Sequence, residues 1–343
     1  MKKTILFVLA ILILLAAFSA WKIFGPAAHQ PGEKFFYVRT GSIYNDVSNN
    51  LVENKIISGK WWFDFVAKRL GYKIIKPGKY EIRKRMSLFN LVRMLKNGKQ
   101  TAVDLVITKF RTKEDFARKI GREFETDSLQ MISFLNNNDS LKNYGLDTNC
   151  WTCAVIPNTY TFFWNSTATK IFNKLHEGSI QFWTAEKKKQ ATNLGLNPCE
   201  VYTLASIIEE ETNMKSDKGN MASVYLNRLH SNMPLGADPT IKFAMKQFGL
   251  TRIYDNYLFY PSPYNTYRNK GLPPGPICTP SVETIDAVLN SPKTDYFYFV
   301  AKSDFSGAHV FTTNYDEHIK YAKLFSQAQD KQDSIRKAKQ TNK

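Results

Sequence analysis

The chain has few acidic residues and lacks the spacings that mark most nucleic-acid and metal sites. It contains 30 Asp and Glu residues against 47 Lys and Arg, which gives a formal net charge of +17. Such a charge indicates an anionic environment: nucleic acid, phospholipid headgroups or an acidic wall polymer. No helix-turn-helix, RNA-recognition or zinc-finger spacing accompanies the charge. Nucleic acid is therefore the least favoured partner of the three.

Cysteine and histidine are scarce as well, with four and five residues. Zinc sites use Cys and His ligands at regular short spacings, and because the histidines are scattered, we expect no metal. Cys150 and Cys153 have the CxxC spacing of redox motifs, but they follow a loop rich in Asn and Asp. A structural disulfide and buried free thiols are the two alternatives. The pairing, which also concerns Cys199 and Cys278, does not follow from the sequence.

An apolar run stands at the N-terminus. Two lysines precede an uncharged stretch from Thr4 to Trp21, whose length is at the lower limit for crossing a bilayer. Lys22 can reach the headgroups, and Trp21 and Phe24 suit the membrane interface. A cleaved signal peptide is the alternative, but Ala17-Phe-Ser19 is a poor cleavage site and the run is long for a signal sequence. We predict a single-pass anchor in a bacterial cell membrane, with the rest of the chain outside the cytoplasm.

The rest of the chain has the composition of a globular protein. At 343 residues, 43% of them hydrophobic, it can hold about two domains with a real core. The predicted fold class is α+β throughout. The predicted parts are the cytoplasmic tip and transmembrane anchor (1–25), a linker (26–34), a membrane-proximal α+β region (35–125), connecting loops (126–154), a second, mixed α+β domain (155–328) and a loose polar tail (329–343).

The membrane-proximal region has a recognisable order of elements. Phe35 to Arg39 and Tyr80 to Ile82 read as strands, and two helical patterns lie between them. This β-α-α-β order resembles a LysM-like wall-polymer module. A small connecting domain that binds nothing is the alternative.

The second domain is organised around one mostly apolar helix. Asn197 can cap it, Pro198 suits the first helical position, and Glu200 stands where a capping box requires it. A buried stripe follows the i, i+3, i+4, i+7 spacing. Its members are Val201, Leu204, Ala205 and Ile208.

This helix ends in three consecutive carboxylates. At about 100° per residue, Glu210 points away from the stripe, while Glu209 and Glu211 lie on its borders. A half-buried carboxylate loses hydration, so its pKa should rise, as a general acid near neutral pH requires. The alternative is an acidic helix end that faces water, although acidic residues there oppose the helix dipole.

A further feature is the stretch from Tyr260 to Pro280, which is dense in Pro, Gly, Tyr and Asn and reads as a long functional loop.

Several short motifs, in order from about residue 155 to the last helix, resemble the YceG-like endolytic murein transglycosylases. The matching stretches are Ala205-Ser-Ile-Ile-Glu209 with Glu211-Thr212, Ala222-Ser-Val-Tyr-Leu-Asn-Arg-Leu229, Asp238-Pro-Thr240, Tyr264-Asn-Thr-Tyr267, Gly271-Leu-Pro-Pro-Gly275, Tyr296-Phe-Tyr-Phe-Val300, and His309 with Phe311, Thr313 and Asn314. The chain departs from the family at Thr152-Cys153, where a Glu-Gly pair is usual, and at Asn158, where Asp is usual. Any binding role of those acids therefore does not carry over.

The resemblance implies cleavage of the β-1,4 bond between N-acetylmuramic acid and N-acetylglucosamine inside glycan strands, with no metal or organic cofactor. It implies Glu209 as the essential acid. In this mechanism Glu209 protonates the departing oxygen, and the muramic C6 hydroxyl then attacks C1 while the same carboxylate takes its proton. An intramolecular nucleophile has an effective molarity that a bound water lacks. A 1,6-anhydro end results.

Further residues are candidates for substrate binding, each with a structural alternative. Tyr264, Asn265 and Tyr267 could stack on sugars and bond acetamido groups, or form turn structure. Asp238 could bond a sugar or cap a helix.

The remaining candidates are Asn314, His309, Arg228 and Glu211. Asn314 could bind substrate or cap the last helix, and His309 could line the cleft or be structural. Arg228 could pair with Glu211 or Glu209, and Glu211 is the better mechanistic choice because a cation would lower the pKa of the acid.

Two other functions remain open. One is a catalytically silent wall-binding scaffold that positions peptidoglycan synthases. The other is a muramidase that uses Glu209 with Glu211 or Asp238 as a second carboxylate. The expected partners are glycan strands and the lipid bilayer, with peptidoglycan synthases as candidate protein partners and no nucleic acid.

Overall fold

The computed structural model describes residues 2–29 and 34–341. The predicted linker therefore lies partly, at residues 30–33, outside the described residues. The chain forms two compact units: one contains Met1–Leu105, Ile120–Asp127 and Thr161–Ala168, and the other contains Val106–Lys119, Ser128–Tyr160 and Thr169–Lys343. The domain boundaries predicted from composition stay a prediction.

The smaller unit begins with the predicted apolar helix. Helix α1 spans Lys2–Phe24, and its 23 residues are long and apolar enough to cross a membrane. None of its residues is buried. The single N-terminal apolar helix of the predicted fold class is confirmed.

The β-α-α-β order predicted for the membrane-proximal region is present in this unit. Strands β1 (Phe35–Val38) and β2 (Gly78–Glu81) pair antiparallel, with Phe35 opposite Glu81. Helices α2 (Tyr44–Glu53) and α3 (Lys60–Leu70) lie between them in the chain, and α4 (Leu88–Asn97) follows. Helix α4 is capped at its start by the Ser87 side chain and ends at Gly98, which adopts the left-handed conformation that favours glycine. The likeness to a LysM module stays a prediction.

Residues 126–154 contain helices where we expected connecting loops. Helix α5 (Lys113–Glu123) is followed by α6 (Ser128–Leu135) and α7 (Asn138–Lys142). The loop prediction was wrong for two reasons. Met131 and Leu135 bury one face of α6, and the side chain of Asn137 caps the start of α7. Two strands flank these helices, β3 (Ala102–Val106) and β4 (Thr159–Phe163), and they form a second two-stranded sheet.

The larger unit is built around the predicted central helix. Its later elements are α8 (Ala168–Phe182), α9 (Ala185–Asn193), α10 (Pro198–Glu211), α11 (Lys215–His230), α12 (Asp238–Ala244), α13 (Val282–Leu289), β5 (Tyr298–Ala301), β6 (His309–Thr312) and α14 (Tyr315–Thr341). In α10, every residue from Val201 to Ile208 is buried, because α11, α12 and α13 pack around it. The mixed α+β class is confirmed.

The last helix is longer than predicted. We expected a loose polar tail from residue 329, but α14 continues to Thr341. The sequence after Tyr315 contains no Gly or Pro that would end a helix, and Lys, Gln, Arg and Ala are good helix formers. Residues 342 and 343 lie outside the described part.

The cysteines resolve in favour of a structural disulfide. Cys153 and Cys199 are bonded across 46 positions, whereas Cys150 is half-buried and free and Cys278 is buried and free. Cys150, Cys153 and Cys199 form the one cluster of potential metal ligands in the described parts of the chain. Two of its three sulfurs are already used by the disulfide.

Removing this disulfide should destabilise the protein. Cys199→Ser is expected to lower the free energy of unfolding by about 2–4 kcal/mol, because the unfolded chain loses a closed loop. Urea unfolding with and without reductant measures the effect. Cys150→Ser, a matched change at a free thiol, should keep the response to reductant. If wild type unfolds equally with and without reductant, the disulfide contributes nothing.

Candidate active site

The helix that carries the three carboxylates begins as the sequence predicts. The Asn197 side-chain oxygen accepts from the N–H groups of Cys199 and Glu200, at 2.9 and 3.0 Å. The Glu200 carboxylate accepts from the N–H of Asn197 at 2.7 Å. This capping box fixes the start of α10, and the helix therefore presents its last turn at a defined position.

Glu209 is held by three side chains from other elements. Its Oε2 accepts hydrogen bonds from the Ser281 hydroxyl at 2.9 Å, from the Thr284 hydroxyl, and from Lys218 Nζ at 3.2 Å. Lys218 lies on α11 with only 6% of its side chain exposed. Ser281 and Thr284 belong to the capped start of α13. On its other side, Oε1 lies 4.0 Å from Lys109 Nζ.

The protonation state of Glu209 differs from the expectation. Burial by itself raises the pKa of Glu209, but hydrogen bonds from Thr284 and Ser281 and the charge of Lys218 outweigh it, and the pKa lies below its usual value. The prediction of a raised pKa was wrong because it counted lost hydration and not the donors that replace water. The resting carboxylate is therefore ionised near neutral pH.

Glu210 belongs to a second cluster. Arg111 binds it through two nitrogens, with Nη2 at 2.7 Å from Oε2, and Lys109 Nζ lies 3.3 Å from Oε1. Thr279 positions this basic segment: it accepts from the N–H of Phe110 at 2.8 Å and donates to the carbonyl of Thr108 at 2.7 Å. Lys109 thus stands beside both Glu209 and Glu210.

Glu211 is the carboxylate that fits the expected raised pKa. It accepts a hydrogen bond from the hydroxyl of the buried Tyr225 at 2.7 Å. Burial raises the pKa of Glu211 to about 7, against the lowering effect of that hydrogen bond. All three carboxylates are therefore partnered, and the alternative of an acidic end that faces water is wrong.

Two clefts open beside this helix end. One, of about 210 Å³, is lined by Glu210, and the other is about 340 Å³. Both are lined by Arg111, Phe243 and Phe248. The predicted functional loop contributes Tyr264 and Pro276 to the larger cleft and Ile277 to the smaller. The walls of these two clefts carry aromatic and charged side chains, as ligand-binding clefts do, and Glu209 is not among the residues that line them.

The loop candidates divide into two groups. Tyr264 lines the larger cleft, with its ring 4.8 Å from that of Phe243. Asn265 is fully buried, and its amide donates to the carbonyls of Leu258 and Tyr260, which favours the turn alternative. The Tyr267 hydroxyl donates to the Asp238 carboxylate at 2.6 Å.

The other candidates have mainly structural partners. Asp238 is the first residue of α12, and the described contacts do not use it as the cap. Arg228 donates to the carbonyls of Phe297 and Leu235. In the described residues no ion pair joins Arg228 to Glu209 or Glu211, although the charge of Arg228 does lower the pKa of Glu211. A binding role for Arg228 stays a prediction.

His309 and Asn314 are likewise engaged. His309 Nδ1 lies 3.0 Å from an oxygen of Asp217, which also accepts the backbone N–H of His309. Asn314 accepts from the N–H of Glu317 at 2.8 Å and so caps α14, as one of its two alternatives predicted.

Sequence reasoning missed the basic residues around the site. Lys218 carried a signal, because it stands on the buried stripe of α11 with Met221, Ala222 and Tyr225. A lysine on an apolar stripe needs a buried partner. Lys109 and Arg111 carried no comparable signal, since they reach Glu209 and Glu210 across about 100 positions of sequence.

The YceG-like family matches residues 36–323, which is most of the chain. The chain belongs to the YceG-like family. A solved YceG-like protein from Listeria monocytogenes is similar at 27% identity and a TM-score of 0.56, over 83% of this chain and 98% of that one.

Two curated relatives of this YceG-like chain carry the same name. An "endolytic murein transglycosylase" of Bacillus subtilis is 30% identical over 302 residues, which cover 82% of each protein. One of the same name from Streptococcus pneumoniae strain R6 is 26% identical over 81% of this chain but 56% of its own length. The chain thus spans little more than half of the pneumococcal protein.

The lysine beside Glu209 should control its ionisation. Lys218→Met is expected to raise the pKa of Glu209, because a neighbouring cation no longer stabilises the charged form. A carboxyl ¹³C NMR titration measures the shift. Lys215→Met, which removes an exposed lysine of α11 paired with Glu283, is the control. An unmoved Glu209 titration in Lys218→Met would contradict this account.

The half-buried Glu211 carboxylate should make the stability of the protein depend on pH. The pKa of Glu211 rises from 4.5 to about 7 on folding, so the unfolded chain ionises first. Stability should fall by about 3 kcal/mol between pH 4.5 and 7 and level off above. Denaturant unfolding across this range measures it. Glu211→Gln should flatten this part of the profile, whereas the exposed Glu186→Gln should keep it; equal slopes would refute the assignment.

Proposed function

We propose that this chain is a single-pass membrane protein that cleaves peptidoglycan glycan strands internally as a lytic transglycosylase. Membership of the YceG-like family and the names of the curated relatives support the reaction. The observation that carries the proposal is the position of Glu209. It is held by Ser281, Thr284 and Lys218 and joined through Lys109 to the cleft that Glu210 lines.

The ionised Glu209 fits the second half of the reaction directly. A carboxylate can stabilise positive charge that develops at the muramic C1 and can accept the proton of the attacking C6 hydroxyl. Donation to the leaving oxygen requires that Glu209 first take up a proton. Glycan binding excludes water from the half-exposed Lys109 side of the site, and this desolvation raises the pKa of the carboxyl.

The same geometry defines what the other groups do. The Ser281 and Thr284 hydroxyls and Lys218 fix one oxygen of Glu209 and leave Oε1 for the substrate. Arg111 and Lys109 offer donors that suit sugar hydroxyl and acetamido oxygens. The Tyr264 and Phe243 rings form an apolar wall on which a sugar face can stack.

The membrane location is part of the proposal. Helix α1 is long enough to span the bilayer, and Lys2 and Lys3 at its start favour a cytoplasmic N-terminus. The folded part then lies outside the cytoplasm, on the side where peptidoglycan is found. Contact with peptidoglycan synthases is a further part of the proposal.

A muramidase is the second candidate, and one observation favours it. Glu209 is ionised at rest, whereas the pKa of Glu211 is raised to about 7. Two carboxyls with separated pKa values are the pattern of a hydrolytic acid and base pair. The described contact of Glu211 is with Tyr225, on the core side of the helix, and this favours the one-carboxylate mechanism.

Product analysis separates the candidates. The purified chain is incubated with intact sacculi, and the products are analysed by mass. Anhydro ends support the transglycosylase, reducing ends with incorporated water support the muramidase, and unchanged glycan leaves the scaffold function.

The carboxylate itself is tested by substitution. Glu209→Gln should lower the rate at least about 100-fold, because general acid–base catalysis is lost. Glu200→Gln, a matched change at the other end of α10, should keep the rate, and rates are compared per folded protein. Loss of product in Glu211→Gln with retention in Glu209→Gln would transfer the role to Glu211.

A further inference from the structure

A chain of aromatic rings links the apolar helix α1 to helix α3. The Phe18 ring lies 6.2 Å from that of Trp62, and Trp62 lies 4.4 Å from Trp61. Trp61 stacks on Phe65 at 5.9 Å. A second contact joins Phe24 to Phe89 of α4 at 5.3 Å. We call these rings the aromatic collar; its members are Phe18, Phe24, Trp61, Trp62, Phe65 and Phe89.

Four of the six collar residues are exposed: Phe18, Phe24, Trp61 and Phe65. Trp61 is 67% exposed and Phe24 63%. Contiguous exposed apolar surface marks a binding face. Here the face is continuous with α1, all of whose residues are unburied, so whatever covers α1 is in position to cover the collar too.

The position of the Phe18 contact along α1 indicates that the bilayer covers the collar. Phe18 lies within the uncharged run from Thr4 to Trp21 and three residues before Trp21. At 1.5 Å rise per residue, Phe18 is about 4–5 Å nearer the bilayer centre than Trp21. Because Trp62 contacts Phe18, the start of α3 lies at the depth of the anchor's last turn.

Cations surround the collar. Arg69 lies over the Phe65 ring at 5.5 Å, and Arg93 over the Phe89 ring at 5.9 Å. Arg93 also lines a cleft of about 660 Å³. We call this the basic cleft; its cations are Arg83, Lys84, Arg85, Arg93 and Lys99.

The basic cleft is tied to the exit of the anchor. The N–H of Arg85 donates to the carbonyl of Ala28 at 3.1 Å, and the N–H of Ala28 donates to the carbonyl of Met86 at 2.8 Å. Ala28 follows the end of α1 by four residues. The cleft is therefore close to the level at which α1 leaves the membrane, where phospholipid phosphates lie.

We propose that the aromatic collar and the basic cleft dock the membrane-proximal fold into the interface of an anionic bilayer. The rings occupy the boundary between acyl chains and headgroups, as interfacial aromatics do, and the cations bind the phosphates of anionic phospholipid. This inference rests on the proposed membrane anchor. It adds a second contact with the bilayer besides the anchor itself.

Fluorescence quenching tests the depth of the rings. The full chain is placed in phosphatidylglycerol nanodiscs that contain lipid with brominated acyl chains. The proposal places three tryptophans at the interface, Trp21, Trp61 and Trp62. Trp61→Phe should therefore remove about a third of the quenchable emission. Trp21→Phe should remove a similar share. Trp183→Phe, at a buried position of the larger unit, should remove none.

The outcomes separate the two levels of the proposal. If Trp61→Phe behaves like Trp183→Phe while Trp21→Phe loses quenching, the docking inference is overturned and the anchor stands. If neither Trp21→Phe nor Trp61→Phe loses quenching, the anchor itself fails. Activity on sacculi in detergent is measured separately, and its presence or absence reports only on the transglycosylase proposal.

A second arm tests the lipid charge. In mixed nanodiscs, brominated phosphatidylglycerol should quench more than the same fraction of brominated phosphatidylcholine. The double variant Arg83→Gln/Arg85→Gln should lose this difference. Lys188→Gln/Lys189→Gln, an equal loss of charge on exposed α9, should keep it. Equal quenching by both lipids in wild type would overturn the role of the basic cleft.

Discussion

The site depends on one buried ion pair. Lys218 is almost completely removed from solvent. Its ammonium lies 3.2 Å from the Glu209 carboxylate and donates to the Thr284 hydroxyl at 2.6 Å. A buried charge without a partner is strongly destabilising. The packing of α11 and α13 around α10 therefore fixes the position of Glu209 as tightly as it fixes the core. The same pair keeps the resting carboxylate ionised, so the proposed reaction begins only after Glu209 has taken up a proton.

The fold was predictable where local signals agree with packing. The capping box at Asn197 and the β-α-α-β order followed from short-range rules. The stripe predicted for α10 was too narrow, because every residue from Val201 to Ile208 is buried. The helices at 128–142 and the full length of α14 did not follow. The polar stretch at 128–142 is helical because a few of its residues are buried and Asn137 caps one of its helices. Hydrophobic periodicity alone does not reveal either feature.

The site was predictable only in part, for a physical reason. Helix geometry located Glu209 at the border of a buried stripe, but its pKa depends on donors from α11 and α13 that sequence spacing does not place. The raised pKa that we expected at Glu209 occurs two residues later, at Glu211. Glu209 and Glu211 differ in how far they are buried and in how many hydrogen bonds they accept. The helical period of 3.6 residues places both beside the buried face and cannot distinguish these two environments.

The bidentate contact of Arg111 with Glu210 has a consequence for how this sequence can drift. The two residues stand 99 positions apart, yet each is the other's main ionic partner. A neutral replacement of Glu210 leaves Arg111 without its carboxylate, whereas a neutral replacement of Arg111 leaves Glu210 with Lys109 as its remaining cation. Replacements at the two positions are therefore not independent. Substitutions that keep the protein stable must change both residues together, or another cation must take the place of Arg111. Lys109 already lies beside Glu210 and is the residue placed to do so.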